Sequence, residues 1–198
     1  DNIIAVPGDS PIETIDDLIA FGQDGSGVKT CGSFGMGSTA HLGCQLFNSD
    51  YDTDFTVIHY TGAAPATAGI VGGETSFLYG TTSLIDFVAD GSLRIIAVAS
   101  DERLPDLPDV PTLNELGYPD LAIVSWYGLF APAGTPGDVV ATLEAAVTEF
   151  TQTDAWAQSL RSVRMSVSPD ASSDTFEALI ASELERWDPI ARAAVAEQ

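Results

Sequence analysis

The chain has 198 residues, 45% of them hydrophobic, so it can bury a sizeable core and is not a disordered polymer. Twenty-nine acids stand against seven bases, a formal net charge of −22, and Lys29 is the single lysine. That balance repels nucleic acid and anionic lipid; with acids spread along the chain and no acidic tail, it reads as the evenly acidic surface of a salt-adapted, halophilic protein.

In chain order, NIIAV (2–6) is an apolar strand. SPIETIDDLIAFGQ (10–23) predicts a helix with Ser10 as cap, Pro11 in the first turn and Glu13 three residues after the cap. A strand at 27–33, a helix at 38–48 and a strand at 54–60 follow. A short helix at 64–73 has Pro65 early and Gly72-Gly73 as its stop. A strand at 75–80, a helix at 81–91 closed by Gly91, and a strand at 93–100 continue the alternation. Helices of this length between strands imply βαβ units and a mainly parallel sheet. Residues 101–120 break the rhythm with four prolines and one short helix around 112–116. LAIVSWYGLFAP (121–132) then reads as a long extended segment. Helices are expected at 135–151, 153–162 and 172–194, the last after a link at 163–169. In that last helix Phe176, Leu179, Ile180, Leu184 and Trp187 recur at helical spacing. The composition shift near 120–132 divides the chain into an α/β lobe over 1–124 and a set of helices over 125–198 that cannot build a sheet of their own.

Three strand-to-helix turns share one chemistry: GSFGMGST (32–39), YTGAAP (60–65) and YGTTS (79–83). Each joins glycine, small hydroxyls and a helix start. Unpaired N–H groups and the positive end of the helix dipole attract an anion there. The first turn has the glycine spacing of a nucleotide-binding loop but lacks its lysine, and a triphosphate normally calls for that lysine and a magnesium ligand. A carboxylate, with one charge over two oxygens, is satisfied by a few N–H and O–H donors. The G-x-x-G-x-G order also differs from the dinucleotide fingerprint. His41 with Cys44 supplies too few ligands for a metal, and His41 reads as a side chain bracing the loop. No cofactor, metal or catalytic residue is assigned. Cys31 ends a strand and Cys44 lies on the following helix; a bridge is geometrically conceivable, and the expectation is burial as two small hydrophobes.

The chain resembles the extracytoplasmic solute receptors of tripartite tricarboxylate transporters, the Bug receptors. The resemblance covers nearly its whole length and is carried by GSFGMGSTAHLGCQLF, IHYTGAAPATAGIVGGE, GSLRIIAVASDERLPDLPDVPTLNELGYPDL and SWYGLFAPAGTP. It implies an α/β, periplasmic-binding-protein-like fold of type II: two lobes with mainly parallel sheets flanked by helices. Residues 1–124 would be the inserted lobe and 125–198 the return into a first lobe whose N-terminal part is absent. The family pattern places ligand contacts at Ser33, Gly35, Gly37, Ser38 and Thr39, at Tyr60, Thr61, Gly62 and Ala63, at Gly80, Thr81 and Thr82, and at Ser125 and Trp126. Thr61 stands where a lysine is common, Ala63 where a glycine is common, and Tyr79-Gly80 replaces a stretch that often carries aspartate. The resemblance implies a binding protein, not an enzyme, that captures a small organic carboxylate (a di- or tricarboxylate or related acid) for membrane transporter subunits. It also implies an extracytoplasmic location, membrane-anchored in the full-length protein. The alternative is an enzyme on a small carboxylate or phosphorylated substrate, with His41 as base and Ser38 or Ser33 as nucleophile. Helices lacking their sheet are expected to make the chain self-associate or pair with a separate piece.

Overall fold

A computed structural model describes residues 2–25, 27–100, 102–162, 165, 167, 168 and 170–196. The chain forms two compact units, Asp1–Ser125 with Ile190–Gln198, and Trp126–Pro189.

The first unit is built on five strands: β1 (Asn2–Pro7), β2 (Thr30–Ser33), β3 (Thr56–His59), β4 (Phe77–Thr81) and β5 (Leu93–Ala99), in the order β3-β2-β4-β1-β5. β2 pairs in parallel with β3 and with β4, whereas β1 runs antiparallel to β4 and β5. The sheet is therefore mixed, where the alternation predicts mainly parallel pairing. β1 enters between β4 and β5 from the opposite direction and brings Asn2 level with Thr81.

Three helices connect the strands: α1 (Ile15–Gln23), α2 (Thr39–Tyr51) and α3 (Ala63–Val71). α1 starts later than the sequence predicts. Its cap is Thr14, not Ser10, because Thr14 and Asp17 form a reciprocal capping box: Asp17 N donates to Thr14 Oγ1 at 3.1 Å and Thr14 N to Asp17 Oδ2 at 3.0 Å. Ser10 Oγ instead accepts from Ile12 N. The helix expected at 81–91 is a 3₁₀ segment, Thr82–Phe87. Its Leu84 is drawn down onto Gly80, where a β-carbon would come within 2.4 Å of Leu84 Cδ1, and the segment ends in three-residue turns, Val88 N to Ile85 O and Gly91 N to Val88 O.

Side-chain alternation along the strands gives the sheet two apolar faces. On one, Phe77 meets Phe47 and Phe55 edge-on, with ring centroids 5.1 and 4.8 Å apart. Tyr79 on the same face packs on α2 through Gly43, where a β-carbon would lie 2.5 Å from the ring. The other face holds Ile3, Ala5, Leu78, Ala66, Ile70 and Leu84. Residues 112–116 do not form the expected helix: Thr112 bridges to Val98, and Leu113 N donates to Val98 O.

The segment predicted to be extended at 121–132 forms no strand, because among the described residues it has no ladder partner. Its first residues are tied to the sheet by side chains instead. The buried Tyr79 hydroxyl donates to Leu121 O and accepts from Ile123 N, both at 2.9 Å.

The second unit contains α4 (Gly137–Thr151), α5 (Asp154–Ser162) and most of α6 (Ser173–Ala196). α4 and α5 bury none of their residues. Ser173 donates through both N and Oγ to the Glu144 carboxylate, joining α6 to α4. Phe176 packs against Trp126 and Phe130. Of the link expected at 163–169, positions 163, 164, 166 and 169 lie outside the described residues.

Candidate functional site

Ser33 and His59, the last residues of β2 and β3, are register partners, and Tyr60 N donates to Ser33 O at 2.9 Å. β4 flanks β2 on its other side in the same direction. The carboxyl ends of three parallel strands therefore share one sheet edge, where open α/β sheets gather ligands. The three turns singled out by composition all leave the sheet from that edge.

Hydrogen bonds within the first turn largely fix it. Ser33 is fully buried, and its Oγ donates to Gly35 O at 2.8 Å while accepting from Gly35 N. Its one proton being spent there, the 3.2 Å contact between Ser33 and Ser38 has Ser38 as donor. Ser38 caps α2 by accepting from His41 N at 3.2 Å. Gly37 N donates to His41 Nδ1 at 3.0 Å. Gly35 and Gly37 hold φ of 128° and 74°, which a side chain would strain. Ser33 and Ser38 thus shape the loop, and their protons are not aimed outward. Thr39, the first residue of α2, is half-buried.

The second turn is more open. Gly62, at φ 148°, caps α3 with no side-chain hydrogen bond. Pro65 has no N–H to offer, so the first-turn donors of α3 are the amides of the exposed Ala63 and Ala64. Thr61 beside them is exposed. Tyr60 turns away: its hydroxyl donates to Glu74 Oε2 at 3.0 Å and its ring lies on Gly69. Burial, and then this bond to Glu74, raise the Tyr60 pKa, so the phenol stays protonated as a donor. In the third turn Gly80 and Thr82 are buried, while Thr81 is half-exposed and its Oγ1 pairs with Ser83 Oγ at 2.8 Å.

Ser125 is also exposed and reaches this edge. Asn2 Nδ2 donates to Ile123 O at 2.7 Å and to Ser125 Oγ at 3.2 Å, and Asn2 is the register partner of Thr81. Trp126 belongs to the second unit, where it meets Phe176 edge-on with centroids 5.2 Å apart. Sequence reasoning missed Asn2. Its signal is a polar residue opening an otherwise apolar strand.

Cys31 and Cys44 form a disulfide between β2 and α2, with α-carbons 6.0 Å apart. This corrects the expectation of two separate small hydrophobes. The bridge closes a ring around the whole first turn. His41 braces that turn through Nδ1, which is already engaged by Gly37 N–H rather than set as a base for Ser38. His59 meets the His41 ring edge-on at 4.8 Å. Among the described residues no group of three or more His, Cys, Asp or Glu is placed to hold a metal ion, and no helix is long and apolar enough to cross a membrane. Two surface hollows, of about 290 and 520 Å³, lie away from these turns; the larger, lined by Pro7, Thr30 and Ser76, is at the opposite sheet edge.

The family model for the tripartite tricarboxylate transporter family receptor matches residues 2–195. Protein BugT of Bordetella pertussis is 28% identical over 182 residues, which are 91% of this chain and 56% of that protein. A structure of an R. palustris protein with adipate superposes with a TM-score of 0.78 at 27% identity, covering 98% of this chain and 64% of that one. MatC from Rhodopseudomonas palustris with bound malate gives a TM-score of 0.78 at 25% identity, covering 96% of this chain and 66% of that one. The chain thus spans a little over half the length of BugT and about two thirds of these solved chains. The fold they share is that of a periplasmic-binding-protein-like receptor of type II.

Proposed function

Since the chain belongs to the tripartite tricarboxylate transporter receptor family, we propose that it captures a small organic carboxylate outside the cytoplasm and hands it to membrane transporter subunits. One observation carries the reading: three glycine- and hydroxyl-bearing turns leave adjacent parallel strand ends at one sheet edge. Amides at the starts of α2 and α3, with the exposed Thr61 and half-exposed Thr39 and Thr81 hydroxyls, offer donors to a carboxylate. The one lysine is not among them: Lys29 is buried and precedes β2, at the other end of that strand. The adipate and malate bound by the two similar proteins are small dicarboxylates and support the same ligand class. The buried disulfide beside the turn suits an oxidising compartment.

Calorimetric titration with malate, adipate, citrate, benzoate, glutamate and inorganic phosphate tests the proposal. The expected result is saturable binding of at least one carboxylate and none of phosphate. Heat from phosphate alone, or from none of the six, overturns it.

A further inference from the structure

We propose that Asn2 is a positioning residue for this site, holding the Ser125 hydroxyl so that its proton is presented to the carboxylate. The inference rests on the carboxylate reading above. Asn2 opens β1 and is 1% exposed. Its amide orientation is fixed by chemistry: Ile123 O, 2.7 Å away, is an acceptor and requires the nitrogen on that side. The second proton of Nδ2 then goes to Ser125 Oγ at 3.2 Å.

An amide nitrogen only donates, so Ser125 Oγ is the acceptor in this bond and its own O–H must point elsewhere. Among the described residues no acceptor takes that proton, and Ser125 is exposed. The hydroxyl is therefore set as an outward donor at the edge shared with Thr81. The backbone carrying it is pinned just upstream, where Tyr79 bonds Leu121 O and Ile123 N and Asn2 bonds Ile123 O. With one lone pair engaged and the proton turned away from Asn2, the hydroxyl is biased toward donating to an anionic oxygen, and its oxygen is held in place before the ligand arrives.

The test is calorimetric titration of the full chain with adipate and with malate, for wild type, Asn2→Ala, Ser125→Ala and the double variant, with thermal midpoints measured alongside. For the tighter probe, Ser125→Ala is expected to weaken binding about tenfold, Asn2→Ala about fivefold, and the double variant no more than about tenfold. A purely structural role for Asn2 would weaken binding by the same factor with or without Ser125. Asn2→Asp keeps the shape but only accepts, drawing the Ser125 proton back from the ligand, and should bind more weakly than Asn2→Ala. Multiplying losses, or wild-type affinity in Asn2→Ala, overturn the inference and leave the carboxylate reading standing. So does wild-type affinity in Ser125→Ala, a surface change that decides the matter even where an Asn2 variant does not fold. A wild type that binds neither these probes nor the rest of the panel overturns both.

Discussion

The amide of Gly37 donates to the imidazole Nδ1 of His41, four residues further along the chain, at 3.0 Å. The bond runs opposite to a helix cap. A side chain from the first turn of α2 reaches back and accepts from the loop, while Ser38 accepts from His41 N. Each of the two residues thus holds the backbone of the other's segment.

Replacing that ring removes an acceptor from a part-buried amide. His41 is 3% exposed and also packs against His59. His41→Ala should lower the unfolding free energy by about 1–3 kcal/mol. Hydrogen exchange locates the effect. Protection should fall at Gly37, while amides in β1 and β5 keep theirs relative to the new global stability. Unchanged protection at Gly37 would show that the bond does not hold the loop.

Much of the first unit is legible in the sequence, since its apolar strand and helix patterns recur at short range. The failures share a cause: at each, a contact distant in sequence decides the outcome. Residues 121–125 have the composition of a strand, yet Tyr79 and Asn2, on β4 and β1, hold them by side-chain bonds instead of a ladder. The stretch after Thr81 looks helical, but Leu84 must drop onto Gly80, and that tightens it to 3₁₀. In the first turn, composition shows the glycines, the hydroxyls and the helix start but not how they bond to one another. Ser33 and Ser38 stand in the family pattern of ligand contacts, and only the fold shows the Ser33 proton going to Gly35 O and the Ser38 proton to Ser33 Oγ. Tyr60 stands in the same pattern, and only the fold reveals Glu74 and Gly69 as its partners.

Acid should act on the first unit through Glu115. Its carboxylate accepts from Thr112 N at 2.9 Å and from Arg103 Nε at 2.8 Å, while its own N–H donates to Thr112 Oγ1. The Thr112 amide first, and Arg103 next, hold the Glu115 pKa below its ordinary 4.5. A folded-state pKa lower than the unfolded one adds stability that is present above the unfolded value. That stability is lost as pH falls through the folded value. Glu115→Gln should therefore lower the urea midpoint at pH 7, and its difference from wild type should shrink steadily below about pH 4.5. A difference that persists unchanged at pH 3 would mean that the ionised carboxylate is not the group responsible.

The disulfide has the largest expected effect, because it links the sheet to α2 around the turn that the proposed function depends on. Cys31 and Cys44 are 13 apart in sequence, and both are fully buried. In the chain-entropy account, a ring of about 15 residues stabilises the native state by about 3 kcal/mol, chiefly by restricting the unfolded chain. The double variant Cys31→Ala, Cys44→Ala should lose about that much stability in urea unfolding. It should also bind the best carboxylate probe more weakly, since Ser33, Gly35, Gly37 and Ser38 all lie inside the ring. Burial makes the timing of reduction diagnostic. Reductant alone should leave both sulfurs unreactive toward a thiol label in the native protein, and two thiols should appear once urea opens the fold. Two thiols labelled in urea without any reductant would show that the bridge does not form, and the loop would then be held by His41 and the serines alone.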